Sequence, residues 1–228
     1  LFKVDGKTFE LDILLPEYNL AIEFNGIYFH CELFKDKNYH ENKRLMSKEV
    51  GFDLIQIYET EWSKKPDLVK NLILSKTKNQ PNKIDFKPID KSSLRRELPN
   101  KSLLFNSVKN SYQYLEVSND SKSLGFIGFS NEGANIEVHF NTTHLFSKPF
   151  LCSLERYFIK NHGSESIKII INHRLEAESD LILSGFNKLE TKITHIWTNL
   201  KHLYPKKIKA RRILKIYEPG KSLLIKNL

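Results

Sequence analysis

Cysteine is scarce in this chain of 228 residues, which contains only Cys31 and Cys152. Two cysteines are too few for a disulfide framework and cannot form a cysteine-based zinc site by themselves. They suit a reducing compartment, so the expected location is the cytoplasm. The sequence also lacks any apolar run of the roughly 20 residues that a membrane-spanning helix requires, and it shows no signal-peptide pattern. These absences exclude a disulfide scaffold and an integral membrane protein.

Glycine and proline are also infrequent, at 9 and 8 residues. This rules out collagen-like and low-complexity chains. Hydrophobic residues make up 40% of the chain, charged residues 28% and aromatic residues 11%, which is ordinary globular composition. The length predicts one large or two small domains, with room for a hydrophobic core.

Positive charge is distributed unevenly. The net charge is −1 over residues 1–80 and +10 over residues 81–228, for a total of +9. Residues 201–228 contain nine Lys or Arg and a single acid. A basic run of this kind indicates a polyanionic partner or a solvated surface that maintains solubility. The residues predicted to contact nucleic acid in this run are Lys206, Lys207, Lys209, Arg211 and Arg212.

The order of hydrophobic patterns predicts an α/β (α+β) protein with two domains. Residues 1–76 read as a hairpin around Asp5-Gly6, a buried strand, a helix over 37–50 closed by Gly51, a second buried strand and a second helix. A stretch rich in Lys, Asn, Ser and Pro indicates a linker over 77–93. Residues 94–228 read as three antiparallel strands, a helix, a buried strand, another helix and a last strand.

Two carboxylates in the first part form the most informative pattern. Asp12 lies on one predicted strand, and Glu23 and Asn25 lie two residues apart on the next, hence on one face. The intervening turn brings Asp12 towards that face. Glu23 stands in an apolar run, where an unpaired carboxylate is costly. A pair of convergent carboxylates suits Mg²⁺, which could activate water and stabilise charge on a phosphodiester.

The same segment resembles a known nuclease family. Asp12 followed by Glu23 and Asn25 is similar to the PD-(D/E)XK motif, with asparagine where most members have lysine. The stretches AIEFNGIYFHCE, KNYHENKRL and GFDLIQIYETEW resemble phage-encoded homing endonucleases related to the very short patch repair endonuclease. This resemblance covers residues 9–75. It implies a restriction-endonuclease-like mixed sheet with flanking helices.

The resemblance also implies roles for individual residues. Asp12 and Glu23 would hold Mg²⁺, for which Mn²⁺ could substitute. His30 would act beside the metal, and Lys43 would provide the cation that Asn25 lacks. His40, which shares a helix face with Lys43, would orient water or the leaving oxygen. Purely structural alternatives remain open. Asp12 could be a turn former, His30 a hydrogen-bonded core histidine, and His40 and Lys43 part of a solvated helix face.

The second part more weakly resembles acetyltransferases of the GNAT type. Its order of helix, strand ending near Arg174, helix and last strand is similar to theirs, but no glycine-rich pyrophosphate loop precedes the helix. The resemblance therefore implies a GNAT-like α/β fold reused to contact DNA. Arg156, His173 and Arg174 would contact phosphates, or would be ordinary surface charges.

Three functional hypotheses follow. The leading one is a Mg²⁺-dependent endonuclease that hydrolyses double-stranded DNA. A second is a catalytically inactive DNA-binding protein derived from such a nuclease. A third, disfavoured by the missing glycine-rich loop, is a group transferase built on the second domain.

Overall fold

A computed structural model shows a mixed α+β fold with several sheets. It describes residues 1–77, 83–101, 103, 108–119, 122–132, 135–140, 147–175, 178–198, 202–204, 207 and 213–228. No helix among them is long and apolar enough to cross a membrane.

The chain divides into two compact units, each built from separate segments. The first contains residues 1–69, 172–176 and 191–221, and the second contains 70–171, 177–190 and 222–228. The chain thus returns twice to the first unit after building the second.

The first unit begins with a two-stranded hairpin and a three-stranded sheet. Its early elements are β1 (Phe2–Val4), β2 (Lys7–Phe9), β3 (Ile13–Leu15), β4 (Leu20–Asn25), α1 (Tyr39–Glu49), β5 (Asp53–Tyr58), α2 (Glu59–Lys64) and the start of α3 (Pro66–Thr77). The predicted hairpin is confirmed: β1 pairs antiparallel with β2, and Asp5 and Gly6 both take positive φ, as a tight hairpin turn requires.

Strand β4 is the centre of the three-stranded sheet. It pairs antiparallel with β3 and parallel with β5. Ile13 lies opposite Ile22, so the residue before β3 comes level with Glu23. Helix α1 connects β4 to β5 and ends at Glu49, with Val50 as its C-cap and Gly51 following at φ +91. This confirms the predicted helix and its glycine stop.

Parts of two later strands complete the first unit, namely residues 191–198 of β11 (Asn187–Thr198) and 214–221 of β13 (Leu214–Asn227). Strand β11 pairs antiparallel with β12 (Leu203–Tyr204) and also lies beside β13. Their side chains Ile196, Leu214 and Ile216 pack with Ile27 and Tyr58 in one buried cluster. Part of the segment predicted as a basic tail is therefore a strand with a buried face.

The second unit is a sheet with helices. Its elements are β6 (Asp85–Pro88), α4 (Lys91–Lys101), β7 (Gln113–Asn119), β8 (Lys122–Glu132), β9 (Asn135–Phe140), α5 (Lys148–His162), β10 (Ser166–Asn172) and α6 (Glu178–Leu183). Strands β6 to β9 run antiparallel in order, and β10 joins β9 in parallel after α5. The predicted linker thus contains β6 and the first residues of α4.

The core of this unit lies between the sheet and α5. Phe150, Leu151, Leu154 and Phe158 recur along one face of α5 and are buried against residues of β7, β8 and β10. This spacing is typical of a helix with one apolar stripe. The helix begins at the Ser147 cap and ends at Gly163, at φ +59.

Candidate functional site

Seven polar side chains of the first unit form one connected group, called here the polar cluster. Its members are Asp12, Glu23, Asn25, His30, His40, Lys43 and Gln56. The first six are the residues that sequence reasoning assigned to a catalytic centre, and the structure brings them together; their catalytic role stays a prediction.

Asp12 is fixed by strand register. One carboxylate oxygen, Oδ2, accepts a hydrogen bond from the backbone N–H of Phe24 at 2.7 Å. Because Phe24 follows Glu23 on β4, this bond holds Asp12 beside the Glu23 carboxylate. The Asp12 side chain remains exposed, so it can meet a solute from solvent.

Glu23 is the buried acid of the cluster, with 3% of its surface exposed. Its Oε1 accepts a hydrogen bond from the ammonium of Lys43 on α1, while its Oε2 is buried and has no partner among the described residues. Burial raises the pKa of Glu23, and the Lys43 ammonium opposes part of that rise. Glu23 is therefore a stronger base than an ordinary exposed carboxylate.

His30 and His40 pack ring on ring, with centroids 5.1 Å apart and planes 30° from parallel. Burial lowers the pKa of His30 to about 4 and that of His40 to about 3, and the nearby Lys35 and Lys43 ammonium groups add to the effect. Both rings are consequently neutral at pH 7. A neutral imidazole can accept a proton, whereas an imidazolium cannot.

Gln56 is the member that sequence reasoning missed. It lies on β5 with 1% of its surface exposed, and its Oε1 lies 2.7 Å from Nδ1 of His40 and 3.5 Å from Nδ2 of Asn25. The signal available in the sequence was a single amide within the apolar strand DLIQIY, since such a side chain must find partners when the strand is buried.

Four buried polar atoms of the cluster lack a partner in the part of the chain that the structure describes. They are Oε2 of Glu23, Oδ1 of Asn25, Nδ1 of His30 and Nε2 of His40. An unsatisfied buried polar atom costs about 1–3 kcal/mol, and native proteins contain few of them. Four in one cluster indicate a place where water or a ligand completes the hydrogen bonds.

A cavity of about 440 Å³ opens beside Asp12 and Lys43. Its charged lining consists of Lys7, Glu10, Asp12, Asp36 and Lys43. Tyr39, Asn42, Met46 and Phe9 supply much of the remaining wall. The cavity therefore offers three carboxylates and two ammonium groups to a small polar molecule.

The predicted magnesium centre is wrong. The described residues contain no group of three or more His, Cys, Asp or Glu side chains placed to hold a metal ion. Glu23, one of the two predicted ligands with Asp12, instead accepts a hydrogen bond from Lys43, so an ammonium occupies the position next to its carboxylate. The prediction that Mn²⁺ could replace Mg²⁺ at this site is therefore also wrong.

Two of the predicted phosphate-binding residues are buried. His173 and Arg174 expose 0% and 1% of their surfaces. His173 Nδ1 lies 3.3 Å from Glu41 Oε2, and NH1 of Arg174 donates to both oxygens of Glu61 at 2.6 Å. Arg174 pairs with Glu61 and His173 faces Glu41 inside the first unit, so neither buried side chain is available to a phosphate.

The structure describes only two of the other predicted phosphate-binding residues. Arg156 and Lys207 are exposed. Lys206, Lys209, Arg211 and Arg212 lie outside the described residues.

Comparison with known proteins gives matches to solved structures only. No protein-family model matches the chain, and no curated protein matches it. The chain resembles spermidine N-acetyltransferase from Vibrio cholerae in complex with CoA and spermine, at 8% identity over 63% of this chain and 95% of that one, with a TM-score of 0.41.

Two further structures give similar values. An IAA acetyltransferase from Bacillus cereus has 14% identity over 64% of this chain and all of its own length, with a TM-score of 0.40. The ribosomal-protein-S18-alanine N-acetyltransferase from Escherichia coli has 9% identity over 64% of this chain and 94% of its own, with a TM-score of 0.41.

These comparisons contradict the predicted nuclease. The neighbours are N-acetyltransferases, and none is a PD-(D/E)XK nuclease or a homing endonuclease. The predicted restriction-endonuclease-like domain, the DNA endonuclease activity and the double-stranded DNA partner are corrected accordingly. At such low identities and TM-scores the neighbours do not transfer their own activity to this chain.

Coenzyme A does not fit the helix where an acetyltransferase-like fold would hold its pyrophosphate. At the start of α5, Pro149 has no N–H, and the N–H of Phe150 donates to Ser147 Oγ at 3.4 Å. The sequence also has no glycine from 134 to 162. A pyrophosphate cradle needs several free backbone N–H groups, and the start of α5, as the structure describes it, does not provide them.

Proposed function

We propose that the protein is a group-transfer enzyme that binds an amine acceptor and deprotonates it at the polar cluster of the first unit. One observation carries this most: the buried carboxylate of Glu23 has one oxygen on Lys43 and the other unpartnered among the described residues. That free oxygen is a proton acceptor in a water-poor setting.

Glu23 is suited to act as the general base. A base works best when its pKa lies close to the working pH, and burial raises the pKa of Glu23 in that direction. The Lys43 ammonium opposes part of that rise in pKa and so favours the ionised carboxylate. Glu23 would take a proton from the acceptor ammonium, and the freed nitrogen lone pair would then attack the donor carbonyl carbon. The bond from that carbon to the leaving group breaks, and the leaving group keeps the electron pair. The attacking nitrogen gives up its second proton to the departing group, which leaves a neutral amide.

The adjacent cavity supports an amine as the acceptor. Its lining carries Glu10, Asp12 and Asp36 against Lys7 and Lys43, so the carboxylates outnumber the ammonium groups. Opposite charges attract more strongly near a protein surface than in bulk water. A small cation would be drawn towards Asp12, which lies next to the base.

The remaining cluster residues would position the acceptor. Asp12 has one oxygen on the Phe24 N–H and would use the other for the ammonium. The neutral rings of His30 and His40 would accept hydrogen bonds, and Asn25 would do so through Oδ1, which has no partner among the described residues. Each of these atoms accepts hydrogen bonds, which matches an amine whose N–H groups donate them.

The topology of the second unit supports transfer chemistry through its fold. Antiparallel β7, β8 and β9, followed by α5 and a parallel β10, follow the order predicted for a GNAT-like domain. This supports the group-transferase alternative over hydrolysis. The donor would be an activated acyl compound.

An acyl-transfer assay tests the function directly. The full chain is incubated with p-nitrophenyl acetate as donor and putrescine as acceptor, and N-acetylputrescine is measured by mass spectrometry. We expect product with the native chain and a loss of about 10²- to 10⁴-fold with Glu23→Gln, the usual contribution of a general base. Glu49→Gln, an exposed glutamate on α1, is the matched control and should retain full activity.

Two results would overturn the proposal. One is acyl transfer that Glu23→Gln leaves unchanged, since the base would then lie elsewhere. The other is absence of product with putrescine, spermidine and n-butylamine alike.

A further inference from the structure

Gln56 contacts His40 through both ends of its amide. Its Nε2 donates to the backbone carbonyl of His40 at 3.0 Å, and its Oε1 lies 2.7 Å from Nδ1 of the same residue. Gln56 and His40 are both about 99% buried, so water does not compete for these positions. The pair joins β5 to the first turn of α1.

The two contacts fix which way the amide points. A backbone carbonyl oxygen can only accept a hydrogen bond, so the group that faces it must be the NH₂ of Gln56. Turning the amide over would place its oxygen against the carbonyl oxygen of His40. It would also place its NH₂ group against the NH₂ group of Asn25. The side-chain oxygen is therefore the group that faces the imidazole, an orientation decided by the bonding network.

The orientation of the amide in turn fixes the proton on His40. An oxygen at 2.7 Å from Nδ1 requires that Nδ1 carry hydrogen. Since the ring is neutral, the other nitrogen must then be a bare lone pair. That nitrogen, Nε2, is the one found buried and unpartnered within the described part of the chain.

We propose that Gln56 is a positioning residue that holds His40 as the Nδ1–H tautomer and so presents a permanent hydrogen-bond acceptor at Nε2. Gln56 itself does not reach the acceptor molecule; it acts through the imidazole. The catalytic role of Nε2 of His40 rests on the proposed function, whereas the tautomer itself does not depend on that function.

Asn25 reinforces the arrangement. Its Nδ2 donates to the same Gln56 oxygen at a long 3.5 Å, which directs Oδ1 of Asn25 away from Gln56. Asn25 and Gln56 lie on paired strands, two register positions apart, because Glu23 pairs with Gln56 and Asn25 with Tyr58. Strand pairing therefore holds the amides in place.

The tautomer is measured by two-dimensional ¹⁵N NMR of the full chain labelled at histidine nitrogens. In the native chain we expect His40 to show a protonated Nδ1 and an unprotonated Nε2 at neutral pH. Gln56→Leu removes the acceptor at similar size and should shift His40 towards the Nε2–H form. Gln56→Glu keeps an acceptor oxygen and should restore Nδ1–H.

Kinetics separate positioning from mere packing. Gln56→Leu should lower kcat for acyl transfer by about 100-fold with little change in KM, because a wrong tautomer in a catalytic site can cost up to about 10⁴-fold. Gln56→Glu should recover part of kcat. The matched control is Gln113→Leu, an exposed glutamine on β7, which should change neither spectrum nor rate.

An Nε2–H signal for His40 in the native chain would overturn the inference, and so would an unchanged His40 spectrum in Gln56→Leu. If Gln56→Leu does not fold, the native spectrum alone decides. A confirmed tautomer without transfer activity would leave Gln56 in its role and refute only the proposed function.

Discussion

Replacement of Arg174 by methionine should strongly destabilise the first unit. The guanidinium donates to both Glu61 oxygens at 2.6 Å and lies 3.4 Å from Glu218, at ion-pair distance without hydrogen-bond geometry at Nε. It also covers the ring of Tyr58 at 4.8 Å. Methionine keeps most of the aliphatic volume and removes the charge.

The expected loss follows from what the substitution leaves behind. The side chains of Glu61 and Glu218 are 8% and 7% exposed, so two carboxylates would remain buried without their cation. Removing one partner of a buried ion pair costs about 3–5 kcal/mol. For a chain of this size, each kcal/mol shifts the melting temperature by about 2–4 °C. The expected shift is therefore about 6 to 20 °C.

Thermal unfolding followed by circular dichroism measures the shift. Arg156→Met removes an exposed arginine of α5 and should change stability by less than about 0.5 kcal/mol. A loss below about 1 kcal/mol would refute this reasoning.

Two further predictions concern pH and backbone strain. Stability should decrease as the pH falls below about 6.5, since the pKa of His40 is about 3 in the folded chain and the unfolded chain binds the proton first; denaturant titrations from about pH 7 to about pH 4 check this, and a smaller decrease is expected in His40→Asn. Gly220→Ala should cost about 1–3 kcal/mol, because φ is +113 and the new Cβ would lie 2.6 Å from the Lys192 carbonyl oxygen. Gly51→Ala, at φ +91 in open space, should cost less by thermal unfolding, and equal losses would contradict the clash.

Local patterns in the sequence determined much of the first unit. The Asp5-Gly6 pair predicted the hairpin because both residues accept positive φ. Alternation and apolar runs predicted β4 and β5, and strand register alone brings Asp12 level with Glu23. These features could be predicted because they depend on neighbours close in sequence.

The family inferred from the nuclease-like sequence motifs was wrong, because the comparisons contradict it. The prediction of the site was also incomplete. Carboxylate spacing predicted convergence of Asp12 and Glu23, but it could not show that Lys43 reaches Glu23 from α1. The same spacing fits a metal pair and a carboxylate with an ammonium partner. Only side-chain packing distinguishes them.

Tertiary structure also decided which charges are exposed. His173 and Arg174 read as surface charges at a strand end, yet they lie buried on Glu41 and Glu61, more than one hundred residues earlier in the chain. A charge is stable inside a protein only with a partner, and that partner comes from distant sequence. Leu214 and Ile216 of β13 are also buried by residues distant in sequence, because the fold brings other strands beside β13. Sequence periodicity thus set the elements, and long-range contact set which faces and charges they bury.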